Sequence, residues 1–407
     1  MNQRRKGSLF SLFFTFAIDN LGATIVFPLF APLFLDQAES VFSPSTSLAF
    51  KSTLLGLFLG IFPCMQLLFA PIFGEIADHY GRKRALILTT AMTFLGYLLT
   101  AVGIHQHTLS LLFIGRMTMG LGSGNLTISL SSLSDLSRSA KQKDTFYAIG
   151  SAICGLTFIL GPFIGGKLSD PLLSPLFSLS FPLFVGASLA LLNLLFVIFS
   201  FEETLKEIIQ GPLNLFRSLT QFSHLLKIKS LNRLYLVYFF YLFSCNITLL
   251  FIPAIATEKF QFSNSKIGDL CALLGALWIV GTALLHRLLI PIKNRKALLL
   301  GSFLLFALLI LLGGVASELK TVLLLLGISS MIAGLIWPLS TLAISKAVSK
   351  KVQGKALGLS QSMLAFSMIL ASILGGLSLQ VDPLALFILS SVSSLLAGMM
   401  LIGVKAL

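Results

Sequence analysis

The stretch GEIADHYGRKRALI, residues 74–87, joins two apolar runs and decides the fold. Glycines permit close helix approach and a tight reversal, while clustered cations hold a loop on the cytoplasmic side of a membrane. A loop that only sets topology needs the cations, but it needs neither the aspartate nor the glycines. The spacing therefore indicates a more specific role. The residues that define it stand in the order Gly74, Asp78, Gly81, Arg82, Lys83 and Arg84.

The composition around this stretch is that of a polytopic membrane protein. Of 407 residues, 56% are hydrophobic and only 11% are charged, whereas soluble domains carry about 25% charged residues. The net charge of +14 reflects topology rather than nucleic-acid binding, because the cations cluster in alternate connections and predict both termini in the cytoplasm. These clusters include residues 4–6, 82–84, 138–143, 227–233, 293–296 and 346–355.

The apolar runs predict an all-α integral membrane fold of twelve transmembrane helices in two six-helix halves. We expect the first half at residues 1–200, a cytoplasmic linker at 201–232 and the second half at 233–407. Short similarities such as ILGPFIGG and ILASILGG support the repeat of halves. The predicted spans are about 8–35, 52–76, 84–103, 109–132, 146–167, 176–200, 233–256, 267–290, 297–315, 321–344, 355–379 and 384–403.

Two further motifs accompany the loop: GRMTMGLGSGN, residues 115–125, and GLTFILGPFIGGK, residues 155–167. Together the three stretches resemble the signature motifs of the major facilitator superfamily, in the expected order and spans. The third motif is similar to that of the twelve-span drug/proton antiporters. His79 departs from the family pattern, which commonly has a cation there. In the third motif the matching residues are Gly155, Gly161, Pro162, Gly165 and Gly166.

The resemblance implies a cytoplasmic gate built on the loop motif. Asp78 is then expected against the start of the eleventh span, near Gly354 or Lys355, where a helix N-terminus favours a carboxylate. Arg82 is expected to reach Asp135 at the end of the fourth span. The equivalent loop of the second half lacks the glycine–aspartate frame, so this gate is expected on one side only.

Two charges stand deep inside spans, Asp19 and Arg116, and each is expensive in lipid. At 1.5 Å per residue, Asp19 lies about 16 Å and Arg116 about 19 Å from the cytoplasmic face. Their matching depth predicts contact, directly or through water. The pair either pins two helices or carries the transported proton, and both interpretations stay open here.

Other polar residues at depth are candidate contacts for substrate, although a lone amide in a membrane more often bonds a neighbouring helix. We predict no metal site and no cofactor, and we find no catalytic constellation that would make the chain an enzyme. The candidate cavity residues are Asn20, Gln66, Asn125, Asn246, Trp337 and Gln361.

The predicted function is proton-coupled antiport that exports a small organic or amphipathic compound by alternating access. The alternatives are proton-coupled uptake of a nutrient, organic acid or metal chelate, then lipid flipping or a transport-inactive sensor. The expected partners are the substrate, protons and the lipid bilayer, without nucleic acid. We expect a multi-pass monomer in a cell membrane of the bacterial inner-membrane type.

Overall fold

The computed structural model describes residues 3–36, 40–205, 229–289, 292, 294–348 and 353–404, which are helical with short connections and contain no strand. A π-helical turn at Gly281–Leu285 joins the helices Asn264–Val280 and His286–Leu289. The helices are α1 Gln3–Thr24, α2 Phe27–Leu35, α3 Leu48–Tyr80, α4 Arg82–His105, α5 Leu109–Gly122, α6 Asn125–Leu136, α7 Ala140–Ser169, α8 Phe181–Ser200, α9 Lys229–Glu258, α10 Asn264–Val280, α11 His286–Leu289, α12 Arg295–Val315, α13 Leu319–Lys346, α14 Gln353–Val381 and α15 Pro383–Ile402.

Eleven helical segments of the described chain are long and apolar enough to cross a membrane. The span expected at 109–132 is divided between α5 and α6, so the count of twelve stays a prediction. The span expected at 8–35 is also interrupted, because α1 ends at Thr24 and α2 begins at Phe27 with Pro28 in its first turn. Proline suits that position, since it lacks the N–H that the helix would otherwise leave unpaired.

We call α1–α8 the first group and α9–α15 the second group. The stretch between them, predicted as a linker at 201–232, lies outside the described residues from 206 to 228. We define the terminal side as the side where α1 begins and α15 ends. Arg5 near the start of α1 donates to the Leu136 carbonyl at 2.7 Å, which places the end of α6 and the start of α7 on that side.

The two groups meet on the opposite side, which we call the far side. There α3 packs on α14, and α7 packs on α10, through glycines on both partners. A Cβ added at Gly56 would lie 3.0 Å from the Gly376 Cα, and one at Gly166 would lie 2.7 Å from the Gly268 Cα. Small residues let helix backbones approach this closely. Five hydrogen bonds that join a described residue of one group to a described residue of the other also lie on the far side.

Candidate functional site

The Asp19 carboxylate lies within α1 and is held by the amide of Asn125. The Asn125 Nδ2 donates to Asp19 Oδ1 at 2.9 Å and to Thr93 Oγ1 at 3.1 Å. Asn125 is fully buried, and its Oδ1 has no hydrogen-bond partner. These bonds tie α1 to α4 and α6. Asn125 can begin a helix at this depth because the chain breaks between α5 and α6, at Ser123 and Gly124.

Arg116 on α5 is the second charge at depth, and its side chain is only 4% exposed. Its Nε and Nη1 are fully buried and have no hydrogen-bond partner. The guanidinium carbon lies 4.7 Å from the centre of the Phe62 ring and 5.1 Å from that of Phe30. Aromatic faces attract a cation, and more strongly when water is excluded. The guanidinium is therefore held by rings and leaves donors unused.

Asp19 and Arg116 form no direct ion pair within the described part of the chain, so their contact through water stays a prediction. Tyr97 on α4, which is fully buried, lies close enough to both charges to interact with each electrostatically. Its hydroxyl donates to the Ile18 carbonyl at 3.5 Å. The expectation rested on depth, and depth does not fix the direction in which a side chain leaves its helix.

The candidate cavity residues separate into several environments. Asn125 belongs to the Asp19 site described above. Asn20 bonds its own helix at the Phe16 carbonyl, and Asn246 donates to Ser367 Oγ at 3.0 Å. Gln66 is half-buried and Gln361 is exposed. The bond of Asn246 joins two helices and favours a helix-packing role, whereas that of Asn20 stays within α1.

The remaining candidate, Trp337 on α13, belongs to a row of aromatic rings that reaches both groups. Its ring centre lies 5.9 Å from that of Trp278 and 5.9 Å from that of Tyr238. Phe158 on α7 continues the row at 5.5 Å from Trp278. The rings of Trp278, Tyr238 and Phe158 carry no distinctive sequence signal, because aromatic residues are frequent throughout this chain. The row presents apolar faces where α7 and α10 meet.

In the loop motif, Arg82 makes the contact with Asp135 that the resemblance implies. The Arg82 Nε lies 3.5 Å from Asp135 Oδ2, and its Nη1 lies 2.6 Å from Asp78 Oδ1. Lys83 is the second residue of α4, and its backbone N–H donates to the Glu203 carboxylate. The expected approach of Asp78 to Gly354 and Lys355 falls on residues whose side chains lie outside the described set.

Glu203, which the sequence analysis missed, supports the loop motif from the end of the first group. Its carboxylate accepts from the backbone N–H groups of Arg82 at 3.0 Å and Lys83 at 3.1 Å, at the start of α4. A helix N-terminus stabilises such an anion. Gly81 has φ +99°, and a Cβ there would meet the Glu203 carboxylate. The signal in the sequence was the acidic pair directly after the sixth apolar run.

The third motif places small residues on two sides of α7. Gly161 packs on Thr24, and Gly165 packs on Ile25, where the first span breaks. Thr24 Oγ1 also donates to the Thr157 carbonyl at 3.1 Å. Gly166 faces α10 instead, while Gly155 touches only the tip of Ile279. Pro162 lies within α7 and is buried. The motif thus allows α7 to contact α1 and the second group at once.

Comparison with known proteins assigns this architecture. The family profile described as Major Facilitator Superfamily matches residues 12–289 and 234–406. The chain belongs to the Major Facilitator Superfamily. Its fold is that of solved superfamily members: the human organic anion transporter MFSD10 (TETRAN) superposes with a TM-score of 0.70 at 22% identity, covering 98% of this chain and 99% of that one.

Curated proteins similar to this chain include tetracycline resistance proteins. The class H tetracycline resistance protein of Pasteurella multocida is 32% identical over 189 residues, which cover 46% of this chain and 43% of that protein. Major facilitator superfamily domain-containing protein 10 of Mus musculus is 25% identical over 336 residues, covering 77% and 70%. The chain thus matches less than half the length of the class H protein. As a member of this superfamily of transporters, the chain is a multi-pass membrane protein.

Proposed function

We propose that the chain is a proton-coupled antiporter that exports a small organic or amphipathic compound by alternating access. The observation that carries this proposal is the Asp19 carboxylate, which is bonded by a neutral amide and has no cation within ion-pair distance in the described structure. A carboxylate at bilayer depth is costly unless it is neutralised. A proton can neutralise it, and so can a cationic group on a substrate.

Exchange follows if proton and substrate compete for this carboxylate. A ligand shifts an equilibrium only through its different affinities for the two states. A substrate arriving from one side would displace the proton, and reprotonation from the other side would release the substrate. The half-buried position of Asp19 gives access to such ligands.

Alternating access requires that the groups rock about the site. The described hydrogen bonds between the groups lie on the far side, which supports a state that is closed there. In this proposal the terminal side faces the cytoplasm of a bacterial-type cell, and the protein acts as a monomer. The names of the tetracycline resistance relatives support efflux of an organic compound.

The test is transport into proteoliposomes with an imposed pH gradient, with tetracycline as the probe. Wild type should respond to the gradient, and Asp19→Asn should abolish the response because a neutral amide cannot exchange a proton. Asp144→Asn is the matched control, since Asp144 is exposed near the start of α7. Equal responses of wild type and Asp19→Asn would exclude proton coupling through Asp19.

Arg116 favours a second candidate, transport of an organic anion, including proton-coupled uptake of an organic acid. Its buried guanidinium has two unpartnered nitrogens, and such donors suit a carboxylate. The name of the human structural relative is consistent with this candidate. Carboxyfluorescein in the same vesicles distinguishes the two. If its flux falls in Arg116→Gln and survives Asp19→Asn, the second candidate is favoured.

A further inference from the structure

A carboxylate of the first group caps a helix of the second group on the far side. Asp170 follows the last residue of α7 and is 3% exposed. Its Oδ1 accepts from the Leu172 N–H at 3.0 Å within its own loop. Its Oδ2 accepts from the Ser265 N–H at 3.1 Å, and Ser265 is the second residue of α10.

Helix α10 has no side-chain cap of its own. Its N-cap residue, Ser263, makes no capping hydrogen bond with its side chain. The first N–H groups of a helix need acceptors, and the positive end of the helix dipole favours an anion. By contrast, α3 and α7 are capped by the serine that precedes each of them. The acceptor for α10 is thus supplied across the boundary between the groups.

Lys167 reinforces this contact one helical turn before Asp170. Its Nζ donates to Ser265 Oγ at 2.7 Å and to Asp269 Oδ2 at 2.8 Å. Because Lys167 and Asp269 are partly exposed, water and salt weaken this pair. The buried cap is therefore the stronger element. We name Lys167, Asp170, Ser265 and Asp269 the far-side latch.

Separation of the groups would remove this cap. Asp170 and the start of α10 would then need water or new partners, and the bonds of Lys167 would break. All four latch residues lie outside the Asp19 site. The latch therefore acts on the opening of the far side without changing the polar contacts of Asp19.

We propose that Asp170 caps α10 only while the far side is closed, and that the far-side latch thereby sets the ratio of closed to open protein. This inference rests on the alternating-access part of the proposed function and is independent of proton coupling.

The test measures that ratio by electron–electron double resonance between spin labels at Leu176→Cys and Val381→Cys. Both positions are exposed, one in each group on the far side. The background replaces the four cysteines, which are all free: Cys64, Cys154, Cys245 and Cys271.

Asp170→Ala should lower the closed-to-open ratio by roughly 2- to 30-fold, the range for loss of a helix cap. Asp170→Asn should lower it less, since the amide keeps one acceptor oxygen but not the charge. Asp382→Ala is the matched control, because Asp382 caps α15 within the second group through Leu384 N–H at 2.6 Å. The control should leave the ratio unchanged.

A charge exchange checks the other arm of the far-side latch. Lys167→Asp and Asp269→Lys should each lower the ratio, and the combined variant should recover part of it. The inference is overturned if Asp170→Ala and Asp170→Asn are folded, as judged by their elution, and keep the wild-type closed-to-open ratio. It is also overturned if Asp382→Ala lowers that ratio as much as Asp170→Ala does. The same measurement in an Asp19→Asn background separates the two proposals. If Asp170→Ala still lowers the closed-to-open ratio there, the latch stands even if proton coupling through Asp19 fails.

Discussion

Replacement of Gly81 by alanine should destabilise the loop motif through two separate costs. The first is the backbone, since Gly81 has φ +99° and ψ 147°. A residue with a side chain pays about 1–3 kcal/mol in such a region. The second is the Glu203 carboxylate, which the new methyl group would displace from the start of α4. Loss of a helix cap costs about 0.5–2 kcal/mol.

Because Glu203 is exposed, the loss of its capping contact falls in the lower part of that range, and the two costs together are about 1.5–4 kcal/mol. The two costs can be separated. In a Glu203→Ala background there is no carboxylate to displace, so Gly81→Ala should cost only the backbone strain, about 1–3 kcal/mol. The coupling between the two substitutions measures the cap.

The assay is thermal unfolding in detergent, followed with a thiol-reactive dye that labels Cys245 as it becomes exposed. Cys245 is buried in the folded protein. Gly81→Ala should lower the midpoint by about 2–5 °C, because the unfolding entropy grows with chain length and 1 kcal/mol is worth about 1 °C in a chain of 407 residues. Gly301→Ala is the control, because a Cβ on this helical glycine meets nothing within 4 Å. Equal midpoints for Gly81→Ala and Gly301→Ala would refute the reasoning. So would a Gly81→Ala cost that is the same with and without Glu203→Ala.

Two further predictions concern contacts that the motifs make. The double variant Arg82→Asp with Asp135→Arg should restore part of the transport that either single variant loses, measured as probe flux in proteoliposomes. The recovery should be incomplete because Asp78 stays beside residue 82. Gly166→Ala should reduce that flux about tenfold, because its Cβ would lie 2.7 Å from the Gly268 Cα and oppose far-side closure. Gly155→Ala should be nearly neutral, since its Cβ meets only Ile279 Cδ1 at 3.5 Å.

The helices could be predicted from the sequence because lipid forces the backbone to bond within each segment. The run expected at 297–315 is the helix Arg295–Val315, and the run expected at 384–403 is Pro383–Ile402. The breaks could not be predicted in the same way. The break before Asn125 lies in a glycine-rich motif, where a close helix contact and a helix end have the same signature.

The candidate site was predicted only in part. Asp19 stood out because a charge in lipid needs a reason, and Asp135 was found through the loop motif. Asn125, a candidate cavity residue, is also the hydrogen-bond partner of Asp19, which the sequence did not predict. Rotation about each helix axis decides which side chains meet, and apolar residues on every face leave that rotation undetermined by sequence.

Two classes of polar contact in the described structure suit a moving protein. The bonds of Asp19, Asn125 and Thr93 join α1, α4 and α6 within the first group. The bonds that join described residues of the two groups lie on the far side and include those of Lys167 and Asp170. Rocking of the groups can therefore break the second class and leave the first intact. A carboxylate that keeps its amide partner in both states can exchange one ligand for another as the opening changes sides.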